Sequence, residues 1–211
     1  METVLNELNR KHSELEVCIT EVQKAFTLLK NSYRQGGKVL LCGNGGSASD
    51  CEHIVGELMK GFFLKRPIDT SFKQKLFEAF PEDGDYLSRH LQGALPAISL
   101  VSHSAMITAF ANDVAADMIF AQQVFGYGNK EDVLIGLSTS GNSANVVHAL
   151  QVARAKGMKT IGLTGSKGGV MAPLCDVLIA VPFESTPDIQ EHHILIYHAL
   201  CLMLEKEFFE E

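Results

Sequence analysis

The sequence predicts a doubly wound α/β fold, with a parallel five-stranded sheet sandwiched between helices. Short apolar runs, typical of strands that are buried on both faces, alternate with segments of helical periodicity. Loops rich in glycine and serine follow two of these runs, as expected where parallel strands lead into helices. A chain of 211 residues, 46% of them hydrophobic, can bury one substantial core. We therefore expect a single domain over residues 1–211.

The first predicted element is one long amphipathic helix within residues 1–36. Its apolar residues recur at three- and four-residue spacing as far as the Gly36-Gly37 pair, which ends it. They are Leu5, Leu8, Leu15, Ile19, Val22, Phe26, Leu29 and Tyr33. A helix ahead of the first strand must bury this stripe somewhere. We expect it to serve oligomerisation, although packing on the core explains the stripe equally well.

Strands and helices then alternate to the end of the chain. Strands are expected at residues 38–42, 97–101, 132–137, 160–164 and 177–181, and helices at 48–63, across 104–125, at 142–156 and at 188–208. Residues 65–95 interrupt this alternation, because they are charged and carry Pro67 and Pro81. Their short amphipathic runs at 72–80 and 86–91 predict an insertion between the first helix of the alternation and the second strand.

Charge, cysteine usage and the N-terminus favour a cytoplasmic protein. A formal net charge of −7 is unsuited to binding nucleic acid. The five cysteines are odd in number and lack zinc-finger or CxxC spacing, which indicates reduced thiols. The N-terminus is too charged for a signal peptide, and no apolar run is long enough to cross a membrane. We expect neither a nucleic acid nor a membrane as a partner.

Two loops follow predicted strands in the position where parallel sheets bind ligands. They are GNGGS at residues 43–47 and STSGNS at residues 138–143. Free backbone N–H groups and the helix dipole favour an anion there, and neither loop fits a nucleotide-binding signature. Either loop alone could be a turn with a helix cap. Two such loops in one chain favour phosphate binding, whereas a third loop, at residues 164–169, is interpreted as a plain turn.

Titratable side chains follow the first loop and open the last helix. His53 and Glu57 are four residues apart and share one helical face, where they could be an acid/base pair, two metal ligands or a partly buried polar pair. Gln190 and His198 are eight residues apart, about two turns, and lie on roughly one side of the last helix. The adjacent pair at residues 192–193 is interpreted as solvated or packed histidines.

Together these segments resemble the sugar isomerase (SIS) domain family. The resemblance rests on GNGGSASDCEHIVGEL, STSGNSANVVHAL and TPDIQEHHILIYH, and it covers nearly the whole chain apart from residues 65–95. It implies a flavodoxin-like α/β sandwich that assembles as a homotetramer, with active sites at subunit junctions. Within the family, the two loops combined with His53, Glu57 and His198 are most similar to those of isomerases of sedoheptulose 7-phosphate.

The resemblance also implies an activity and a set of site residues. The expected reaction is an aldose–ketose isomerisation of sedoheptulose 7-phosphate to D-glycero-D-manno-heptose 7-phosphate through an enediol, the first step toward ADP- or GDP-activated heptoses. The phosphate would be held by Ser47, Ser138, Ser140 and Ser143, and the rest of the substrate would be contacted by Asn44, Asp113, Thr139 and Gln190. The catalytic acid/base pair would be Glu57 and His198. One zinc ion per subunit would be bound by His53, Glu57, Gln190 and His198. Because a Glu57 bound tightly to zinc is a poorer base, its role as base, ligand or both stays open.

Two alternatives to this enzyme remain. One is a non-catalytic SIS protein that binds a phosphosugar or a replication initiator. Retention of both Glu57 and His198, and the absence of a DNA-binding appendage, favour the enzyme over it. The other is an isomerase of a different sugar phosphate, which the inserted residues 65–95 make plausible.

Overall fold

The architecture was taken from a computed structural model that describes residues 2–210. It is a parallel five-stranded sheet of order β2-β1-β3-β4-β5 with helices on both faces. The strands are β1 Val39–Cys42, β2 Ala97–Ser99, β3 Val133–Leu137, β4 Lys159–Thr164 and β5 Val177–Ala180. The helices are α1 Glu2–Lys11, α2 Ile19–Arg34, α3 Gly46–Met59, α4 Thr70–Ala79, α5 Gly84–His90, α6 Ser104–Asp113, α7 Ile119–Tyr127, α8 Ala144–Ala155 and α9 Thr186–Phe209. The predicted fold class is confirmed, with each strand displaced by no more than two residues at either end.

Two apolar cores flank the sheet. Helices α1, α2, α3 and α9 pack on one face, which the side chains of Val39 and Leu41 join from β1. Helices α7 and α8 pack on the other face, which Leu40 and Cys42 join. Since successive residues of a strand point to opposite faces, a strand buried on both faces must be apolar throughout, as VLLC is.

The N-terminal segment corrects one prediction, because it is not a single helix. A 3₁₀ helix, Ser13–Cys18, separates α1 from α2, and His12 before it has a non-helical backbone conformation. The apolar stripe is interrupted by Lys11 and His12, so nothing at these positions holds the chain to a continuous helix. The break lets Leu15 bury its side chain in the same core as Leu8.

The inserted segment forms a helical hairpin, α4 and α5, joined to the domain at its base. Gly61 N–H donates to Gln92 Oε1 at 2.6 Å, and Gly93 N–H donates to Arg66 O at 2.7 Å, so the two ends of the segment are tied together. Within the described chain α4 has no buried residue. The hairpin is therefore an addition to the surface rather than part of either core.

Candidate active site

The two serine-rich loops lie side by side at the point where the strand order of the sheet reverses. Strand β1 pairs with β2 on one side and with β3 on the other, and Cys42 is in register with Gly136. The loops that follow β1 and β3 consequently leave the same edge of the sheet next to each other. In doubly wound folds this switch point is where ligands bind.

The loop after β3 is held in shape by its own hydroxyls and by the loop after β4. Ser138 Oγ and Ser143 Oγ are 2.9 Å apart, and Asn142 N–H donates to Ser140 Oγ at 3.2 Å. Gly141 has φ +68°, and a Cβ there would overlap Gly168 O in the next loop. Gly168, in the loop interpreted as a plain turn, therefore packs directly on the predicted phosphate loop.

Residues 165–171, the buttress loop, support the STSGNS loop from behind. Gly165 N–H donates to Thr139 O at 3.0 Å and Met171 N–H donates to Gly141 O at 3.0 Å. Val170 N–H donates to the Asn142 side chain at 3.0 Å. The interpretation of residues 164–169 as only a turn did not include this support. The hydrogen bonds join two segments that share no sequence motif, so nothing in the sequence relates them.

The first loop is tied to the second by a pair of amides. The Asn44 and Asn145 side chains donate to each other, at 2.9 Å in both directions. Gly45 has φ +56° and precedes the first residue of α3, so the backbone turns sharply and the first N–H groups of α3 face the loop edge. Asn145 was not among the predicted site residues, although it lies within the STSGNSANVVHAL segment on which the resemblance rests.

Helices α3 and α9 run parallel and in contact, and together they carry the titratable residues of the site. At the start of α3, a Cβ on Gly46 would lie only 2.5 Å from Gln190 Nε2, so the amide packs directly on the helix terminus. Further along, the Tyr197 hydroxyl donates to Asp50 Oδ1 at 3.2 Å and is 2.9 Å from His53 Nδ1. Tyr197 and Asp50 were not among the predicted site residues.

Glu57 and His198 surround the His53 imidazole. His53 Nε2 is 3.4 Å from Glu57 Oε1, and the rings of His53 and His198 have centroids 5.0 Å apart in an edge-to-face arrangement. Phe62 covers the His198 ring with a centroid distance of 5.4 Å. Lys60 Nζ lies 3.5 Å from Glu57 Oε2. The structure thus brings together three of the four residues that are predicted to act on protons or bind metal, namely His53, Glu57 and His198.

Burial shifts the pKa of two groups around this cluster. It lowers the pKa of His198, as does the neighbouring His53, against the opposing effect of Glu57. It also raises the pKa of Asp50, against the hydrogen bond from Tyr197 and the charge of His53. A neutral imidazole at His198 can accept a proton or bind a metal, which are the two functions considered for it.

Three buried polar atoms in and around the cluster make no hydrogen bond within residues 2–210. They are Asp50 Oδ2, Glu57 Oε2 and His198 Nε2. Buried polar atoms in folded proteins nearly always have a partner, and apart from the ion-pair contact of Glu57 Oε2 with Lys60 Nζ these atoms are available to a ligand. Imidazole nitrogens and a carboxylate are the donors that zinc prefers, and the 3.4 Å between His53 Nε2 and Glu57 Oε1 is close to the ~3.3 Å expected of two ligands on a tetrahedral zinc.

The donor chemistry therefore fits zinc, but the full set does not converge. Among residues 2–210, no three His, Cys, Asp or Glu side chains are close enough together to hold a metal ion. The contact found for Gln190 is with Gly46, at the far end of α3 from Glu57. Asp113, a predicted sugar contact, lies exposed at the end of α6, where its carboxylate accepts from Asn112 at 2.8 Å.

A buried ion pair closes the far end of α3 against α9. Arg66 Nε donates to Glu205 Oε1 at 2.8 Å, and both side chains are 0% exposed. The other two guanidinium nitrogens donate to Leu58 O and Glu57 O, at 2.8 and 2.9 Å. Burial alone would raise the pKa of Glu205, but hydrogen bonds from the backbone at residues 62–64 and from Arg66 hold it below its usual value. The pair fixes the helix end that carries Glu57.

This fold, with paired serine-rich loops at its switch point, defines the chain as a member of the SIS domain family, whose model matches residues 5–75 and 76–165. A phosphoheptose isomerase of Burkholderia pseudomallei (strain 1710b) is 41% identical over 194 residues, which cover 92% of this chain and 85% of that one. One from Helicobacter pylori (strain P12) is 42% identical over 187 residues, covering 89% and 84%.

Solved structures agree. Phosphoheptose isomerase GmhA from Neisseria gonorrhoeae superposes with a TM-score of 0.74 at 34% identity, covering 95% of this chain and 94% of that one. A phosphoheptose isomerase from Francisella tularensis superposes with a TM-score of 0.76 at 31% identity, covering 93% and 91%. The chain is therefore similar to phosphoheptose isomerases along nearly all of its length. Within the described residues, none of the helices combines the length and the apolar character that a membrane crossing requires.

Proposed function

We propose that this chain is an aldose–ketose isomerase that converts sedoheptulose 7-phosphate to D-glycero-D-manno-heptose 7-phosphate, at the start of heptose biosynthesis. Relatives named phosphoheptose isomerase, at about 41% identity over most of both chains, support the substrate class. The observation that carries the proposal is the cluster of Glu57, His53 and His198 beside two loops suited to a phosphate. A carboxylate and two imidazoles in contact are groups that proton transfer requires and that phosphate binding alone does not.

In this proposal Glu57 moves the carbon-bound proton. It takes the proton from C1 of the ketose to give an enediol, and it returns the proton to C2 to complete the aldose. His198 transfers the second proton, from the oxygen on C1 to the oxygen on C2, so the reaction neither gains nor loses atoms. Burial lowers the pKa of His198, which keeps the imidazole neutral and able to accept that proton.

The phosphate would be held by Ser47, Ser138, Ser140 and Ser143, with the N–H groups at the start of α3 adding backbone donors. Anchoring the substrate by a group that does not react leaves C1 and C2 free to reach Glu57, which lies about three turns further along α3. Asn44 and Thr139 would contact the sugar. The amide pair between Asn44 and Asn145 fixes the distance between the two loops.

A zinc ion, where bound, would be held by His53, Glu57, Gln190 and His198 and would stabilise negative charge on the substrate oxygens. The orphaned atoms of Glu57 and His198 support this assignment. Gln190 would have to leave its contact with Gly46 to join the other three donors. Glu57 would be a poorer base while it is bound to the ion, so its roles as base and as ligand would compete.

We further propose a cytoplasmic homotetramer whose active sites lie at subunit junctions. A groove of about 460 Å³ between α1 and α9 supports this, because it is lined by His198 together with apolar side chains that include Val4, Leu195 and Leu202. Phe63 also borders it and is 78% exposed. A second subunit seated in this groove would enclose His198. Light scattering of the purified protein measures the subunit number, and a stable monomer would contradict the proposal.

The decisive test is incubation with sedoheptulose 7-phosphate and detection of the aldose product. We expect the wild type to form it and Glu57→Gln to abolish turnover while phosphosugar binding persists. Unchanged turnover in Glu57→Gln would remove this residue from the mechanism.

A second candidate is isomerisation of a different sugar phosphate. Phe62, which precedes the inserted segment, lies against the His198 ring, and Arg66 within the segment donates to the Glu57 carbonyl, so the insertion touches the backbone of a site residue. A panel of ketose and aldose phosphates separates the two candidates. Turnover of another sugar but not of sedoheptulose 7-phosphate would favour the second, and binding without turnover of any sugar would favour a non-catalytic protein.

A further inference from the structure

A line of hydrogen bonds runs from Asp50 through the Tyr197 hydroxyl to His53, on the side of the imidazole that faces away from Glu57. We infer that Asp50 and Tyr197 are positioning residues that hold His53 in the tautomer protonated on Nδ1, with Nε2 presented toward Glu57. The inference rests on the proposed function in one respect: the use of Nε2 there is to bind the zinc ion. The tautomer itself follows from the hydrogen bonds alone.

The tautomer follows from counting donors. A tyrosine hydroxyl has one proton, and the geometry gives it to Asp50 Oδ1, because a carboxylate can only accept. The hydroxyl oxygen then has lone pairs but no proton left for its second neighbour, His53 Nδ1, at 2.9 Å. A hydrogen bond at that distance requires the proton to come from Nδ1. A neutral imidazole carries one proton, so Nε2 is left with a free lone pair.

The free lone pair has a consequence at Glu57. His53 Nε2 and Glu57 Oε1 are 3.4 Å apart, and without a proton on either atom they are two acceptors directed at the same space. Two acceptors at this distance are an unfavourable pair, which a cation bound between them would relieve. Ligating histidines typically donate their other ring N–H to an oxygen acceptor that fixes the ring, and here the Tyr197 hydroxyl is that acceptor.

Tyr197 is suited to this role because it cannot move easily. Its side chain is 2% exposed, and it lies on α9 between the core and the face of α3 that carries the site. Its ring contacts those of both His53 and His198 edge-to-face, with centroids 5.4 and 5.0 Å away. The hydroxyl therefore orients the His53 ring, while the Tyr197 ring packs against the His198 ring.

The tautomer can be measured directly in the metal-free protein, since bound zinc would itself fix it. Long-range ¹H–¹⁵N spectra of histidine-labelled protein at about pH 8.5, where ordinary imidazoles are neutral, distinguish the two ring nitrogens. The His53→Gln variant assigns the signals. We expect a protonated Nδ1 in the wild type and loss of that state in Tyr197→Phe. A wild-type His53 protonated on Nε2 would overturn the inference.

Zinc affinity gives a second readout that does not depend on turnover. Competition with a chromophoric chelator should show a 10- to 100-fold weaker affinity in Tyr197→Phe, the usual cost of losing an outer partner of a ligating histidine. Tyr33→Phe is the matched control: its hydroxyl is also buried but has no hydrogen-bond partner in residues 2–210, so affinity should not change. Equal affinity in Tyr197→Phe and wild type would refute the positioning role. A wild type that binds no zinc would refute the proposed metal, while the tautomer spectrum would still decide this inference.

Discussion

Replacement of Arg66 by methionine should destabilise the domain more than almost any other single change to a charged residue. Its guanidinium is fully buried, pairs with Glu205, and donates to the carbonyls of Glu57 and Leu58. Methionine keeps much of the side-chain volume but removes all three bonds. Glu205 would keep its bonds from Phe62 N–H and Phe63 N–H, yet its charge would have no partner in a dry environment.

The magnitude follows from that unpaired charge. Removal of one partner from a buried ion pair costs about 3–5 kcal/mol, a large part of the roughly 5–15 kcal/mol by which domains are stable. For a chain of this length the expected fall in the midpoint of thermal unfolding is about 6–20 °C. Adding Glu205→Gln to Arg66→Met should recover part of the loss, because the amide oxygen can still accept from the backbone while the uncompensated charge is gone.

Urea unfolding followed by circular dichroism, at one fixed subunit concentration, measures these differences. Arg89→Met is the matched control. Arg89 pairs with Asp85 one turn earlier on the same helix, and the two side chains are 71% and 53% exposed, so this variant should leave the midpoint unchanged. A cost below about 1 kcal/mol for Arg66→Met would mean that water reaches Glu205, and it would refute the argument from burial. A double variant no more stable than Arg66→Met would show that the charge was not the cause.

Three other perturbations test separate parts of the structure. Burial lowers the pKa of His193 to about 4, so between pH 6.5 and 4 the unfolded chain binds a proton that the folded chain does not. The free energy of unfolding should therefore fall by up to about 3 kcal/mol, because of this residue, as the pH is lowered through that range. In urea titrations at several pH values, His193→Gln should flatten this decline, whereas the exposed control His90→Asn should not. Gly141→Ala should raise the KM for the phosphosugar about tenfold or more, because an alanine at φ +68° that overlaps the buttress loop would be strained by ~1–3 kcal/mol. The control Gly126→Ala should leave the KM unchanged, since its Cβ would meet no described atom within 4 Å. Equal KM values for the two variants would contradict the support proposed for the STSGNS loop. Dialysis against a chelator should lower turnover and added zinc should restore it, while full activity in the chelator would make zinc an incidental occupant.

The sheet could be predicted from the sequence because its signal is local. Strands such as VLIGL at β3 are buried along their whole length, so every residue must be apolar, and a short apolar run between glycine-rich loops has few other interpretations. The N-terminal helix was predicted wrongly for a related reason. The spacing of its apolar residues is compatible with one continuous helix as well as with two. The break at His12 depends on the direction that each half must take to reach the core, which the spacing does not reveal.

The site divides in the same way. The two loops were predictable because glycine and serine at the ends of strands have a recognisable composition, and the resemblance named Glu57 and His198. Asn145, Tyr197 and Arg66 were missed, since each acts through a partner far away in the chain. Arg66 and Glu205 are 139 residues apart, and before folding they are one arginine and one glutamate among many charged residues.

Helix α9 shows what such distant partners have in common. Ten of its 24 residues are buried, and three of these, His193, Tyr197 and Glu205, carry polar groups that need partners to offset their desolvation. His193 donates to the end of β4, Tyr197 holds His53, and Glu205 binds the base of the insertion and Arg66. The buried polar positions of α9 are thus its contacts with the end of β4, with α3 and with the inserted segment. Since the same helix also carries His198, any change that loosens its packing on α3 should lower activity before it unfolds the domain.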